Sequence, residues 1–190
     1  MAIIFFLCVT MSLLTSKSSA NLEPFRRVEV ANASVVDPRV VGGVSDGGDL
    51  DANDFKSQVL NNQTQVGALG YGVKFANNMT FPALHPQGLS MARIDYAPKG
   101  LNPPHTHPNV TELLFLAQGS LLVGFIEPIN NTLYQQNLYA GELFVFPRGV
   151  VHFQLNVDRD HPAVAICAFN SEYPSMSQVT GTALSFDPLN

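Results

Sequence analysis

The chain has 190 residues, about one domain's length with a margin. Hydrophobic residues make up 46% and charged residues 13%; tryptophan is absent, and 13 phenylalanines supply most of the aromatic volume of a core. A net charge of −5, from 10 basic and 15 acidic residues, weighs against nucleic acid or an anionic membrane as partner, since both favour a basic face.

Residues 1–20 read as a secretory signal. The apolar run Ile3 to Val9, continued by Met11, Leu13 and Leu14, is too short to span a bilayer, and Ser18-Ser19-Ala20 offers small residues for a peptidase. Residues 21–55 carry turn and breaker signals (Asp37-Pro38, Gly42-Gly43, Ser45 to Asp49) without periodicity, and are expected to form an irregular N-terminal arm. Cys8 would leave with the signal. Cys167 sits in an apolar strand pattern as a small core residue, so no internal disulfide is expected.

From residue 56 to 190 the pattern is that of one β domain. Val66 to Phe75 is apolar and broken by glycine. Leu89 to Ala97 alternates, with Ser90, Ala92, Ile94 and Tyr96 on one side. Glu112 to Ala117, Ser120 to Ile126, Glu142 to Phe146, Val151 to Val157 and Ala163 to Phe169 are further strands, and Leu133 to Tyr139 runs to a turn at Ala140-Gly141. Short strands punctuated by Gly, Pro and Asn, with no helical period, predict an all-β antiparallel sandwich or small barrel. Asn-x-Ser/Thr occurs at Asn32, Asn62, Asn78, Asn109 and Asn130, consistent with a secreted glycoprotein. Asn109 is the least favoured, because it lies between two candidate ligands.

Those ligands are His105, His107, Glu112 and His152. On a strand, residues two apart share a face, so His105 and His107 point the same way. Glu112 follows across a bend at Pro108-Asn109, Pro103-Pro104 stiffens the approach, and His152 opens the strand after Pro147-Arg148-Gly149. In a small barrel the inward residues of neighbouring strands share one narrow interior. Three imidazoles and a carboxylate without thiolate suit manganese or iron, with zinc, nickel or copper open on affinity grounds, and leave a position free for a small ligand. His85 and His161, each followed by Pro, read as surface loop residues without partners.

Lys99 to Glu112 followed by Gly119 resembles the first cupin box, G-x5-H-x-H-x4-E-x6-G. Gly141, Pro147, Gly149, His152 and Asn156 fit the second, G-x5-P-x-G-x2-H-x3-N. The phrases Ser90 to Pro98 and Phe144 to Gly149 are similar to those of plant germin-like proteins. The resemblance implies a single jelly-roll barrel, secreted to the extracellular space of the cell wall and glycosylated. It implies one manganese ion held by the four residues above, and a homo-oligomer. Members act as superoxide dismutases, as oxalate oxidases, or without assigned activity. Four departures bear on this. Lys99 replaces the leading Gly of the first box; the usual N-terminal cysteine pair is absent; and the sequence ends at Asn190, where members continue into C-terminal helices, so the dimer is expected ahead of the hexamer. Asn102 matches a substrate contact of oxalate-oxidising germin, but Ala92 stands where that enzyme carries a second Asn. A manganese superoxide dismutase is therefore the leading expectation. An extracellular binding or receptor-type cupin without turnover is the alternative, and oxalate oxidation comes third.

Overall fold

The structure, a computed structural model, describes residues 51–179. The expected signal at 1–20, the arm up to residue 50, Cys8 and the Asn32 sequon lie outside the described residues. All of 51–179 falls in one compact unit. It begins with a 3-10 turn, Ala52–Phe55, capped reciprocally by Asp51 and Asp54.

Ten strands follow: β1 (Tyr71–Ala76), β2 (Ser90–Tyr96), β3 (Leu101–Thr106), β4 (Glu112–Gln118), β5 (Ser120–Glu127), β6 (Thr132–Tyr139), β7 (Leu143–Phe146), β8 (Val151–Leu155), β9 (Ala163–Phe169) and β10 (Ser177–Gln178). They form two five-stranded antiparallel sheets, ordered β1-β2-β9-β4-β7 and β10-β3-β8-β5-β6. This is the jelly-roll arrangement, with the core between the sheets. Alternation decides which side chains enter it. On β4, Glu112, Leu114 and Leu116 are buried while Leu113 and Phe115 are exposed; on β9, Ala163, Ala165, Cys167 and Phe169 are buried. Of the two sides into which alternation sorts β2, the one that faces inward is Ser90, Ala92, Ile94 and Tyr96.

Two connections position the interior. The β4–β5 turn needs Gly119 at φ 84, and a Cβ there would lie 2.8 Å from the Pro162 carbonyl oxygen. At the start of β3, any side chain at Gly100 would collide with the Gly70 carbonyl oxygen. Within β3 the pairing with β8 shifts register between Asn102 and His105. Pro103 and Pro104 lie inside that shift and can donate no ladder hydrogen bond. The consequence is geometric. Residues three apart on a regular strand face opposite sides, yet Asn102 and His105 are both buried.

Asp95 departs from the alternation: it is 1% exposed although it lies on the outer face of β2. Segment 58–66 crosses that face. Asp95 accepts from the Thr64 amide at 2.8 Å and the Thr64 hydroxyl at 3.0 Å, and pairs with Arg93 at 2.9 Å. Those bonds hold the Asp95 carboxyl below its ordinary range although burial alone would raise it.

Candidate metal centre

Four elements deliver four side chains to one point. His105 comes from β3, His107 from just beyond its end, Glu112 from the first position of β4 and His152 from β8. The turn between His107 and Glu112 is made by Asn109 at φ 63, closed by Val110 N–H donating to the His107 carbonyl at 3.2 Å. The ladder places His105 opposite His152, and Glu112 opposite Phe146 on one side and Phe169 on the other. All four residues are buried, and one ligating atom from each lies within 4.8 Å of all the others.

Each imidazole is fixed by a backbone carbonyl. Nδ1 of His105 donates to Pro103 O at 2.8 Å, that of His107 to Ser175 O at 2.8 Å and that of His152 to Val150 O at 3.0 Å. A carbonyl can only accept, so each neutral ring carries its proton on Nδ1 and turns the Nε2 lone pair inward. Glu112 Oε2 lies 3.1 Å from His152 Nε2 and 3.3 Å from His107 Nε2, while Glu112 Oε1 is buried without a partner. Three lone pairs and a carboxylate facing one another repel unless a positive charge sits among them. The residues therefore fit a divalent ion, with outward carbonyl bonds of the kind that orient histidine ligands.

Aromatic rings wall the cluster: Phe146 stacks on His152 with centroids 4.4 Å apart, and Phe169 meets His107 edge-on at 5.1 Å. In this setting burial, then the neighbouring His152, lowers His105 to about 4. Cys167 is fully buried; burial, then the Glu112 charge, pushes its thiol well up, so it is a core residue and not a nucleophile.

Asn102 lies one register step from His105 and is buried, with Nδ2 bonded to Gln154 Oε1 at 2.6 Å. Ala92 shares the interior as a bare methyl. His85 and His161 stay on the surface, but each has an acidic partner that sequence reading missed, Glu172 at 3.0 Å and Asp158 at 3.2 Å. Of the sequons, Asn62, Asn109 and Asn130 are exposed; Asn78 is half-buried with its Oδ1 unpartnered. The sequence also gave no sign of the Ser175 carbonyl or of Phe169 as a wall. Gln154 could have been found: it lies two residues from His152 on a strand.

The model of the cupin family matches residues 57–190. Germin-like protein 8-10 of Oryza sativa subsp. japonica is 43% identical over 135 residues, which is 70% of this chain and 60% of that relative's length. Germin-like protein 1-1 of the same species is 40% identical over 183 residues, covering 95% of this chain and 83% of the relative. Among solved structures, a recombinant oxalate oxidase in complex with glycolate superposes with a TM-score of 0.65 at 36% identity, over 71% of this chain and 67% of that one.

Proposed function

Because this chain belongs to the germin-like proteins of the cupin family, we propose that it is a secreted, glycosylated manganese protein that dismutates superoxide. The observation that carries the reading is the convergence of His105, His107, Glu112 and His152 as three inward lone pairs and one carboxylate. Manganese held there supplies a one-electron couple between its +2 and +3 states. One carboxylate among neutral imidazoles leaves a divalent ion with net positive charge, which favours a small anion such as superoxide. The chain's own residues do the rest. The carbonyls of Pro103, Ser175 and Val150 hold the rings in one tautomer, Phe146 and Phe169 keep bulk water from two of them, and Asn102 offers a polar contact beside His105. Residues 1–20 act as the signal, 21–55 as the arm and 56–190 as the barrel; exposed Asn62 and Asn130 are the favoured glycan sites, followed by Asn78 and Asn32.

The partners follow from the surface. Met91, Leu113, Phe115, Leu143 and Val145 are each more than two-fifths exposed on the outer face of the first sheet, which suits a homodimer. No helix among the described residues is long and apolar enough to cross a membrane.

A binding or receptor-type cupin without turnover is the second reading. Oxalate oxidation is the third, favoured by Asn102 and opposed by the methyl of Ala92. The test is metal analysis and a superoxide assay on one sample of natively secreted protein. Stoichiometric manganese with superoxide loss above that of free manganese supports the proposal. Activity no greater than free manganese sinks it, tight carboxylate binding without turnover selects the second reading, and peroxide production from oxalate selects the third.

A further inference from the structure

The residues between His107 and Glu112 are Pro108-Asn109-Val110-Thr111, so the turn that joins two ligands is itself an Asn-x-Thr sequon. Lying between ligands counts against that sequon only if its side chain competes for the interior. It does not: Val110 and Glu112 are 6% and 2% exposed and face inward, while Asn109 is exposed. Asn109 sits in the left-handed region at φ 63, which Asn tolerates better than most residues. Its side chain makes no hydrogen bond among the described residues, so a group attached at Nδ2 displaces no native bond.

The turn belongs to a rim. The ladders place the ends of β3, β7 and β9 and the starts of β4 and β8 at one end of the barrel. The connections that emerge there are tied together. The Thr106 hydroxyl donates to the Gly149 carbonyl at 2.8 Å, Gly149 N–H to the Val110 carbonyl at 3.3 Å, and Thr111 N–H to Asn170 Oδ1 at 2.9 Å. A Cβ on Gly149 would lie 4.0 Å from the Asn109 amide nitrogen, so the turn Pro147-Arg148-Gly149 abuts Asn109. All three residues of that turn are exposed, and the turn leads into His152. Arg148 is the one Lys or Arg in the rim segments 106–111, 147–150 and 170–176.

We propose that Asn109 carries an N-linked glycan and that this glycan shields the Arg148 turn from proteases outside the cell. Exposed turns are where proteolytic nicking concentrates, and a cut after Arg148 would release the start of the strand that carries His152. A glycan is bulky and hydrophilic, and one anchored on the adjoining turn covers the Arg148 peptide bond without entering the barrel. The proposal rests on the secreted, glycosylated reading above, and not on the identity of the metal or the reaction.

The test uses the natively secreted full chain as wild type, Thr111→Val and Thr111→Ser. Peptide N-glycosidase in heavy-oxygen water converts each glycosylated Asn into labelled Asp, read site by site by mass spectrometry. Label is expected at Asn109 in the wild type and in Thr111→Ser. It is expected to be absent in Thr111→Val, which ends the sequon and leaves Asn109 in its turn. Trypsin cleavage after Arg148 of the folded protein is expected to be about tenfold or more faster in Thr111→Val than in the wild type or Thr111→Ser. The same acceleration is expected for wild type trimmed by an endoglycosidase, whose unchanged sequence separates loss of the glycan from a folding defect in the variant. Label at Asn62 or Asn130 with none at Asn109 overturns this proposal and leaves the secreted reading standing; label at no sequon overturns both. Equal cleavage before and after trimming overturns the shield.

Discussion

At the scale of single residues, the site is a problem of proton placement. Three Nδ1 protons go to carbonyls, so Glu112 faces lone pairs and contributes to the fold only when a cation is present. Glu112→Gln is therefore expected to lower metal affinity by about a hundredfold or more, while the melting temperature of the metal-free protein holds or rises, since a buried charge is removed. Metal titration and melting of the same preparation check both halves. Acid acts through His105. Its folded value of about 4 lies below the ordinary 6.5, so the unfolded chain binds the extra proton first as pH falls. This contribution is fully present above about pH 6.5, is lost as pH falls toward about 4, and amounts to roughly 3 kcal/mol. Urea midpoints of the metal-free protein are expected to fall steeply across that window; a midpoint independent of pH there would contradict the assignment.

At the scale of elements, two devices bring the site together. One is the register shift at Pro103–Pro104, which turns Asn102 and His105 to the same interior. The other is the Asp95 clamp, which fastens segment 58–66 to β2 through Thr64 and Arg93. Asp95→Ala would leave the buried Thr64 amide without its acceptor and Arg93 without its partner. The expected loss is on the order of 3 kcal/mol in urea unfolding, with earlier proteolysis within 58–66. The clamp was not legible in the sequence, because its partners lie 31 residues apart and nothing local marks the pair. The same holds for β10, a two-residue strand that exists only by pairing with β3, and for Ser175, whose role is played by its backbone. What was legible was local chemistry and period. Alternation sorted β2 into two faces, the two-residue spacing put His105 and His107 together, and His152 stood out as a histidine opening a strand. Asn102 broke the period, and only the proline-induced shift explains why it is buried beside His105.

At the scale of the whole molecule, the two faces of β4 divide the labour. Glu112, Leu114 and Leu116 build the interior, while Leu113 and Phe115 look outward. The ladder extends the outward pair sideways: Val145, Leu113, Ala168 and Met91 form one row across β7, β4, β9 and β2, and Leu143, Phe115, Ile166 and Arg93 the next. Apolar side chains in register across four strands form one patch, and Arg93, which pairs with Asp95, bounds it. Self-association across this face follows from the proposed homodimer, and Phe115 sits near the middle of the patch, where truncations weigh most in interfaces. Phe115→Asp is expected to weaken the dimer by about thirtyfold or more in light scattering of the size-separated protein. Its metal content should be unchanged, because the substitution lies on the opposite side of β4 from Glu112. Loss of metal together with the dimer would mean that the second copy supports the site; an unchanged dimer would place the interface elsewhere on the barrel.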